Sequence, residues 1–222
     1  VSLYLNTLNL SNMVGCVVGG GSIFIQNTFV PAQGTRNIFW GATNLASDME
    51  TMAELQRSRT GWRGNTVADP KFANAAALDF HLLSPAGFVS NGVWVTNAAL
   101  SYSPGIDFGR QSDTTYSNEP APNGSRVNIG LYGGTAEASK SRTNDWFMAL
   151  SFNDGGNLIQ TGHLEWVGGN LGTGTTVDLQ FSTNNGVSWS NIATGVAATN
   201  EIYDWVPATS HPSVLWRVLN ST

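Results

Sequence analysis

Short runs in which apolar and polar residues alternate dominate the last third of the chain. The alternation is clearest at Val177, Leu179 and Phe181, where every second residue is apolar. A period of two places successive side chains on opposite faces of a β-strand. Similar runs, separated by polar turns, recur at 158–169, 187–193, 201–207 and 213–219. Several short strands at such spacing predict a β-sandwich.

The beginning of the chain carries a repeat with a different spacing. Segment 2–8 aligns with 22–30 at an offset of 20–21 residues, and 35–41 is a weaker third copy. A period of this length, with short strands and Gly or Asn at the corners, indicates a β-solenoid in which successive coils pair in parallel. An ordinary antiparallel sandwich with coincidental similarity is the alternative, and two and a half copies leave it open.

One segment has helical periodicity. Ser47 and Glu50 have the spacing of a capping box, in which the two side chains satisfy backbone N–H groups at a helix start. Apolar residues then fall on one face at Met49, Met52 and Leu55. The pattern predicts one short amphipathic α-helix over 47–61, lying against the solenoid.

Composition supports an all-β fold. Charged residues make up 11% of the 222 residues, well below the roughly 25% of an average globular protein. There are 25 glycines, and the hydrophobic share of 41% is sufficient for a real core, which argues against disorder. The single cysteine, Cys16, is expected to act as a small buried apolar side chain.

Charge and hydropathy narrow the classes of partner. The net charge is −5 and no Lys/Arg cluster is present, so we expect no nucleic-acid partner. No run reaches the roughly 18 apolar residues of a membrane span. Both ends of the chain lie within strand-like sequence. We therefore expect a fragment of a larger exported protein whose export signal lies outside this sequence.

Residues 52–87 begin a series of turn motifs in a recognisable order. They are Asp69-Pro70 with Phe72, then Asp79-Phe80-His81-Leu82, Ser84-Pro85-Ala86 and, further on, Ser103-Pro104-Gly105-Ile106-Asp107-Phe108-Gly109. Segment 116–141 completes the series. Asp69 and Asp107 are expected to accept turn amides. The insertion "VSNGVWVTNAALSY" (89–102) interrupts the series and is expected to be an extra strand or loop.

These motifs resemble the closing coils of secreted bacterial right-handed parallel β-helix proteins of pectate-lyase-like architecture. The resemblance covers residues 1–142 and implies the terminal coils of a parallel β-helix. The architecture hosts polysaccharide lyases, hydrolases, adhesins and surface proteins, so it does not specify one function. The polar, aromatic-free stretch 139–145 predicts a linker, which we place at 143–147.

Segment 148–222 resembles bacterial immunoglobulin-like or fibronectin-III-like modules of exported proteins. The matching residues are Leu164-Glu165-Trp166, Val177 to Ser182, Gly186, Trp189, Tyr203 to Pro207, and Trp216-Arg217-Val218. The resemblance implies a β-sandwich that lacks its last strand. Within it, "STNNGVSW" (182–189) has the spacing of an Asp-box with Asn184 in place of Asp. We interpret it as a hairpin turn with Trp189 packed beneath it in the core, and as no indication of sialidase chemistry.

Two functions follow from these resemblances. The leading expectation is a non-catalytic extracellular or cell-surface module for structure, adhesion or glycan contact, with a polysaccharide or another surface protein as partner. The alternative is the C-terminal part of a β-helix polysaccharide lyase or glycoside hydrolase whose active site lies upstream of this chain.

Candidate site residues are of three kinds. Exposed aromatic rings stack against sugars, and the candidates for glycan contact are Trp94, Tyr102, Tyr116, Trp62 and Trp40, the first two being preferred because they lie in the insertion. Asp69, Lys71, Asp79 and His81 could share a face but more simply form turns. No catalytic residue is assigned. No cofactor is expected, although Asp107, Asp113 and Glu119 leave Ca²⁺ open without metal-type spacing.

Overall fold

The computed structural model describes residues 13–14, 17–19, 34–35, 38–40, 62–153 and 155–221. The predicted helix over 47–61 and Cys16 lie outside these residues. The described chain is all-β, and its helical residues are confined to three short 3-10 helices, Ala75–Ala77, Thr114–Asn118 and Ala198–Asn200. No helix among these residues is long and apolar enough to cross a membrane.

The first part of the chain contributes ten short strands. These are β1 (Met13–Val14), β2 (Val17–Gly19), β3 (Gly34–Thr35), β4 (Ile38–Trp40), β5 (Trp62–Arg63), β6 (Thr66–Val67), β7 (Phe72–Asn74), β8 (Asp79–Leu82), β9 (Phe88–Ser90) and β10 (Val93–Val95). The second part contributes longer ones: β11 (Trp146–Ala149), β12 (Gly162–Gly169), β13 (Thr176–Ser182), β14 (Ser190–Ala197), β15 (Ile202–Trp205) and β16 (Leu215–Asn220).

The first six strands form two small parallel sheets, ordered β1-β3-β5 and β2-β4-β6. Val17 pairs with Ile38, 21 positions later, and Ile38 pairs with Thr66, 28 positions later. The first interval matches the predicted repeat of 20–21 residues. The longer second interval contains the segment 47–61. The weaker third copy at 35–41 sets Asn37-Ile38-Phe39 against Asn27-Thr28-Phe29, ten positions earlier. Ile38 pairs with Val17 instead, so that alignment does not correspond to the observed pairing.

Antiparallel pairing takes over after β6. Strands β7 and β8 pair with each other, as do β9 and β10. The last six strands form two three-stranded antiparallel sheets, ordered β11-β12-β15 and β14-β13-β16. No sheet among the described residues closes on itself. These two antiparallel sheets enclose an apolar core. It contains Leu164, Trp166, Val177 and Leu179, all at most 1% exposed.

Strand β12 lies between two apolar clusters, because successive side chains of a strand point to opposite faces. Leu164 and Trp166 face the core between the two sheets. Val167, on the opposite face, joins a second cluster with Ile38 and Phe108 of the first part. The predicted face of Leu164 and Trp166 is therefore confirmed. Both faces of β12 are buried because the first part of the chain packs against the outer face of this sheet.

The polar stretch expected as a linker is packed. Strand β11 begins at Trp146, so the segment placed at 143–147 overlaps an ordered strand. Upstream, Ser139 and Ser141 are buried, at 3% and 0% exposure. The Asn170 amide donates to the Arg142 carbonyl. This stretch is polar because it contains buried serines, and it is not exposed to water as a linker would be. The serine hydroxyls form hydrogen bonds with backbone and side-chain groups.

The two Ser-Pro motifs form the same local structure. Ser84 and Ser103 are both fully buried, and each hydroxyl accepts the backbone N–H two residues later. Each hydroxyl also donates to a carbonyl of a neighbouring stretch, Lys140 for Ser84 at 2.6 Å and Pro70 for Ser103 at 2.5 Å. The repeated motif is therefore a buried turn that joins adjacent stretches of chain.

Candidate functional site

The insertion forms a β-hairpin that presents an aromatic ring. Strands β9 and β10 pair around a turn at Asn91 and Gly92, both of which have positive φ. Phe88 and Val89 of β9 are buried, whereas Trp94 of β10 is 45% exposed. The hairpin is anchored by its first strand and carries Trp94 at the surface on its second. The expectation of an extra strand or loop is met by this hairpin.

A lysine lies beside the Trp94 ring. The Lys140 Nζ atom is 5.3 Å from the ring centroid, within the range of a cation–π interaction. Gly87 permits this approach, because a Cβ at that position would lie 3.1 Å from Lys140 Cδ and 3.6 Å from Trp94 Cε3. The Lys140 backbone N–H also donates to the Gly87 carbonyl at 2.8 Å. The hairpin base and the Lys140 segment are thus held together through main chain.

Tyr102 is held between basic residues at the other end of the insertion. The Arg142 guanidinium lies 4.3 Å from the Tyr102 ring and 4.6 Å from the Trp146 ring. Lys71 Nζ donates to Ser101 Oγ at 2.8 Å and lies 3.5 Å from the Tyr102 carbonyl. The rings and cations fix one another, so Tyr102 is presented in a defined orientation.

The two cations beside these rings come from one extended segment. Ser139 and Ser141 point inward, and the Ser139 hydroxyl donates to the Leu82 carbonyl at 2.6 Å. Lys140 and Arg142 alternate with them and are only half-buried. In the sequence, serine alternates with a long cationic residue, and this pattern is the signal that identifies Lys140 and Arg142. Sequence reasoning missed it because the segment was interpreted as a linker.

These residues form what we call the aromatic–basic patch: Lys71, Trp94, Tyr102, Lys140 and Arg142. It contains both lysines of the chain. It also contains the two aromatic residues that the sequence favoured for glycan contact, each beside its own cation.

A buried carboxylate lies beneath the patch. Asp107 is 0% exposed, and its Oδ1 atom accepts the Ser141 hydroxyl at 2.6 Å. Burial raises the pKa of Asp107 to about 6, against the opposing effect of the Ser141 hydrogen bond and the Arg142 charge. Burial also lowers the pKa of Arg142, which the Asp107 charge opposes. Protonation of Asp107 would leave the Arg142 charge less compensated and the patch more positive.

The remaining aromatic candidates lie elsewhere. Tyr116 is half-buried in the 3-10 helix Thr114–Asn118. Trp40 ends β4 and Trp62 begins β5, and these strands belong to different sheets. Among the described residues Tyr116 has no contact with the aromatic–basic patch, and the side chains of Trp40 and Trp62 lie outside the described part of the chain.

The polar residues considered for catalysis separate into pairs. Asp69 Oδ1 accepts the Lys71 N–H at 2.8 Å, which confirms the predicted turn. Asp79 Oδ1 lies 2.6 Å from His81 Nδ1, and the His81 ring stacks on Tyr132 with centroids 3.6 Å apart. The Lys71 ammonium group donates instead to the Ser101 hydroxyl. The four residues therefore do not converge on one reaction centre.

The carboxylates considered for Ca²⁺ are likewise committed to the protein. Asp113 caps a 3-10 helix through Thr115, and Glu119 Oε1 accepts the N–H groups of Asn128 and Gly134, each at 2.8 Å. Asp107 bonds to Ser141 rather than to a turn amide, contrary to the expectation for that residue. Within the described ranges, no group of three His, Cys, Asp or Glu residues could hold a metal ion.

The Asp-box-like segment forms the predicted hairpin turn between β13 and β14. Asn185 and Gly186 both have positive φ, which is typical of a tight hairpin turn. Trp189 does not reach the core, however. Its indole N–H donates to the Gly186 carbonyl at 3.1 Å, and the Arg217 guanidinium lies 4.0 Å from the ring. The ring therefore braces the turn from outside the core.

The aromatic–basic patch suits a ligand that has both an apolar face and a negative charge. Ring faces can stack on the C–H face of a sugar, and lysine and arginine can pair with its carboxylates. Comparison of the chain with protein-family models, with curated proteins and with solved structures gave no match.

Proposed function

We propose that this chain is a non-catalytic extracellular module of a larger exported protein, and that it contacts acidic glycans through the aromatic–basic patch. In this proposal residues 1–142 are the closing coils of a right-handed parallel β-helix. Residues 148–222 form an immunoglobulin-like or fibronectin-III-like sandwich that follows it.

The strand pairing supports the β-helix part of the proposal. Paired residues have the same sequence separation in both parallel sheets. It is 21 positions between β1 and β3 and also between β2 and β4. The next pairs, β3 to β5 and β4 to β6, each advance 28 positions. Equal advances in two separate sheets are what stacked coils require, because each coil contributes one strand to every sheet. The equivalent Ser84 and Ser103 turns agree with a stacked arrangement.

The packing of the last six strands supports the sandwich part. The sheets β11-β12-β15 and β14-β13-β16 are antiparallel and share one core. Alternate residues of each central strand fill that core, as in sandwiches formed by two packed sheets.

The observation that carries the glycan proposal is the position of Trp94 and Tyr102 beside cations. An aromatic ring adjacent to a lysine or arginine matches a uronic acid, which has both an apolar ring face and a carboxylate. The chain carries a net charge of −5, yet these cations cluster beside the two rings. Local charge of this kind recruits an anionic polymer in a salt-dependent manner.

The experiment that tests this proposal measures binding and turnover together. The protein is run in native gels that contain polygalacturonate or alginate, beside gels without polysaccharide, and the same mixtures are followed for the ultraviolet absorbance of unsaturated products. Retardation that weakens with salt, without product, is the expected result. Product formation would contradict the non-catalytic assignment, and absence of retardation would contradict glycan contact.

A further inference from the structure

A cleft lies at one end of the antiparallel sheets. Its volume is about 590 Å³, within the roughly 300–1,000 Å³ of small-ligand sites. Its walls come from Phe152 and the segments 155–159 and 205–216, and Leu164 of β12 completes the lining. None of the aromatic–basic patch residues lines it, so it is a separate surface.

The cleft combines fixed aromatic rings with a polar rim. Trp216 lines it, and its indole N–H donates to the Ser151 carbonyl at 2.9 Å, which sets the orientation of the ring. Trp205 lies against Phe181 with ring centroids 5.2 Å apart. On the exposed rim, Thr209 Oγ1 is 2.9 Å from His211 Nε2. The rings are therefore pre-oriented, and a hydroxyl and an imidazole stand beside them.

The lining has a different charge character from the patch. No Asp, Glu, Lys or Arg is among the described residues that line the cleft, and its polar groups are hydroxyls, an amide and His211. A site of this chemistry offers an anionic sugar no ion pair. It suits a ligand with an apolar face and a rim of hydroxyl groups, since the hydroxyls of such a ligand need hydrogen-bond partners when binding removes them from water.

We infer that this cleft binds a neutral pyranose unit of an oligosaccharide. The apolar face of the sugar stacks on the Trp205 and Trp216 side, and its hydroxyls bond to Thr209 and His211. The chain thus has a second sugar site. This site binds a neutral sugar, whereas the aromatic–basic patch binds an acidic one.

Calorimetric titration of the whole chain with cellopentaose, mannopentaose and xylopentaose tests the inference. At least one of these is expected to bind, and Thr209→Ala and His211→Ala are each expected to weaken it about fivefold, the value of one hydrogen bond. Both residues are exposed, so these variants should fold. Trp205→Phe, which retains an aromatic ring, should weaken binding less than Trp205→Leu. Val187→Ala, at an 86% exposed position outside the cleft, is the matched control.

Two results would overturn the inference: no binding of any of the three sugars, or binding that none of the Thr209, His211 and Trp205 variants changes. Native gels with polygalacturonate separate this failure from that of the proposed function. Retardation without neutral-sugar binding overturns only the cleft, and neutral-sugar binding without retardation overturns only the patch.

Discussion

The carboxylate of Glu165 accepts a hydrogen bond from the backbone N–H of Gly64 at 2.6 Å, although the two residues are 101 positions apart. Its other oxygen lies 3.3 Å from Arg63 Nη1. Glu165 is 2% exposed and belongs to β12, whose other face fills the core between the two antiparallel sheets. The same junction contains the apolar cluster with Ile38 and Leu150. The two parts of the chain are therefore joined by buried contacts, and we expect them to unfold together.

Replacing Glu165 by Ala should destabilise this junction. The variant leaves the buried Gly64 N–H without its acceptor, which costs about 1–3 kcal/mol. Glu165→Gln retains an acceptor and should cost less. Urea unfolding followed by fluorescence should show one transition in the unsubstituted protein and a lower midpoint in Glu165→Ala. The control is Glu137→Ala, whose side chain is 62% exposed, so its 3.6 Å contact with His81 Nε2 contributes little to stability. Equal midpoints for the Glu165 and Glu137 variants would show that the Gly64 contact contributes nothing.

Glu119 should make stability fall as the pH rises. Burial raises its pKa to about 7 from the ordinary 4.5, against the opposing hydrogen bonds from Gly134 and Asn128. A raised pKa stabilises the fold below pH 4.5, and this contribution is lost as the pH rises through about 7. Asp107 acts in the same direction. The lowered pKa values of Asp113 and Asp178 affect stability only at more acidic pH.

Unfolding free energies at pH 5 and pH 8 test this prediction against Glu119→Gln. Relative to the variant, the unsubstituted protein should lose on the order of 2 kcal/mol between the two values. Asp107 is present in both proteins and its own contribution is common to them, whereas its charge also raises the pKa of Glu119, and that interaction is part of the measured difference. A difference that stays constant with pH would contradict the assignment to Glu119.

Asn184 should stabilise the turn mainly through its side-chain oxygen, Oδ1. Its Oδ1 atom accepts the Ser188 N–H and the Ser182 hydroxyl, each at 2.9 Å. Asn184→Ala should therefore cost about 1 kcal/mol, whereas Asn184→Asp keeps the acceptor and should stay within about 0.5 kcal/mol. Denaturant unfolding of the two variants measures the difference. A larger loss in Asn184→Asp than in Asn184→Ala would mean that the amide N–H₂, which donates to Ser188 Oγ at 2.8 Å, is the important group.

Local pattern was sufficient to predict much of the second part of the chain. Alternation at Val177 and Leu179 gave the buried face of β13, because a strand places alternate side chains on one side. The same rule could not show that β12 has two buried faces. That depends on what packs against the opposite side, and Glu165 reads as a surface residue when its partner Gly64 is a hundred positions away.

The candidate site shows the same limit. Trp94 and Tyr102 stood out because they lie in an insertion. Lys140 and Arg142 did not, since their segment is short and polar and resembles a linker. Their position depends on the inward hydroxyls of Ser139 and Ser141, which only the fold supplies with partners. Trp189 was placed in the core because large aromatic residues are usually buried there, but Arg217 covers it on the outer face.

The affinity of the Trp94→Ala variant for an acidic oligosaccharide tests the central claim most directly. Oligogalacturonate is titrated into the unsubstituted protein, into Trp94→Ala and into Leu131→Ala, which removes a 69% exposed apolar side chain outside the patch. Because loss of a central aromatic contact commonly costs more than 1 kcal/mol, Trp94→Ala should bind about tenfold more weakly, and Leu131→Ala should bind unchanged. Equal affinity of all three proteins would contradict the assignment of glycan contact to the aromatic–basic patch.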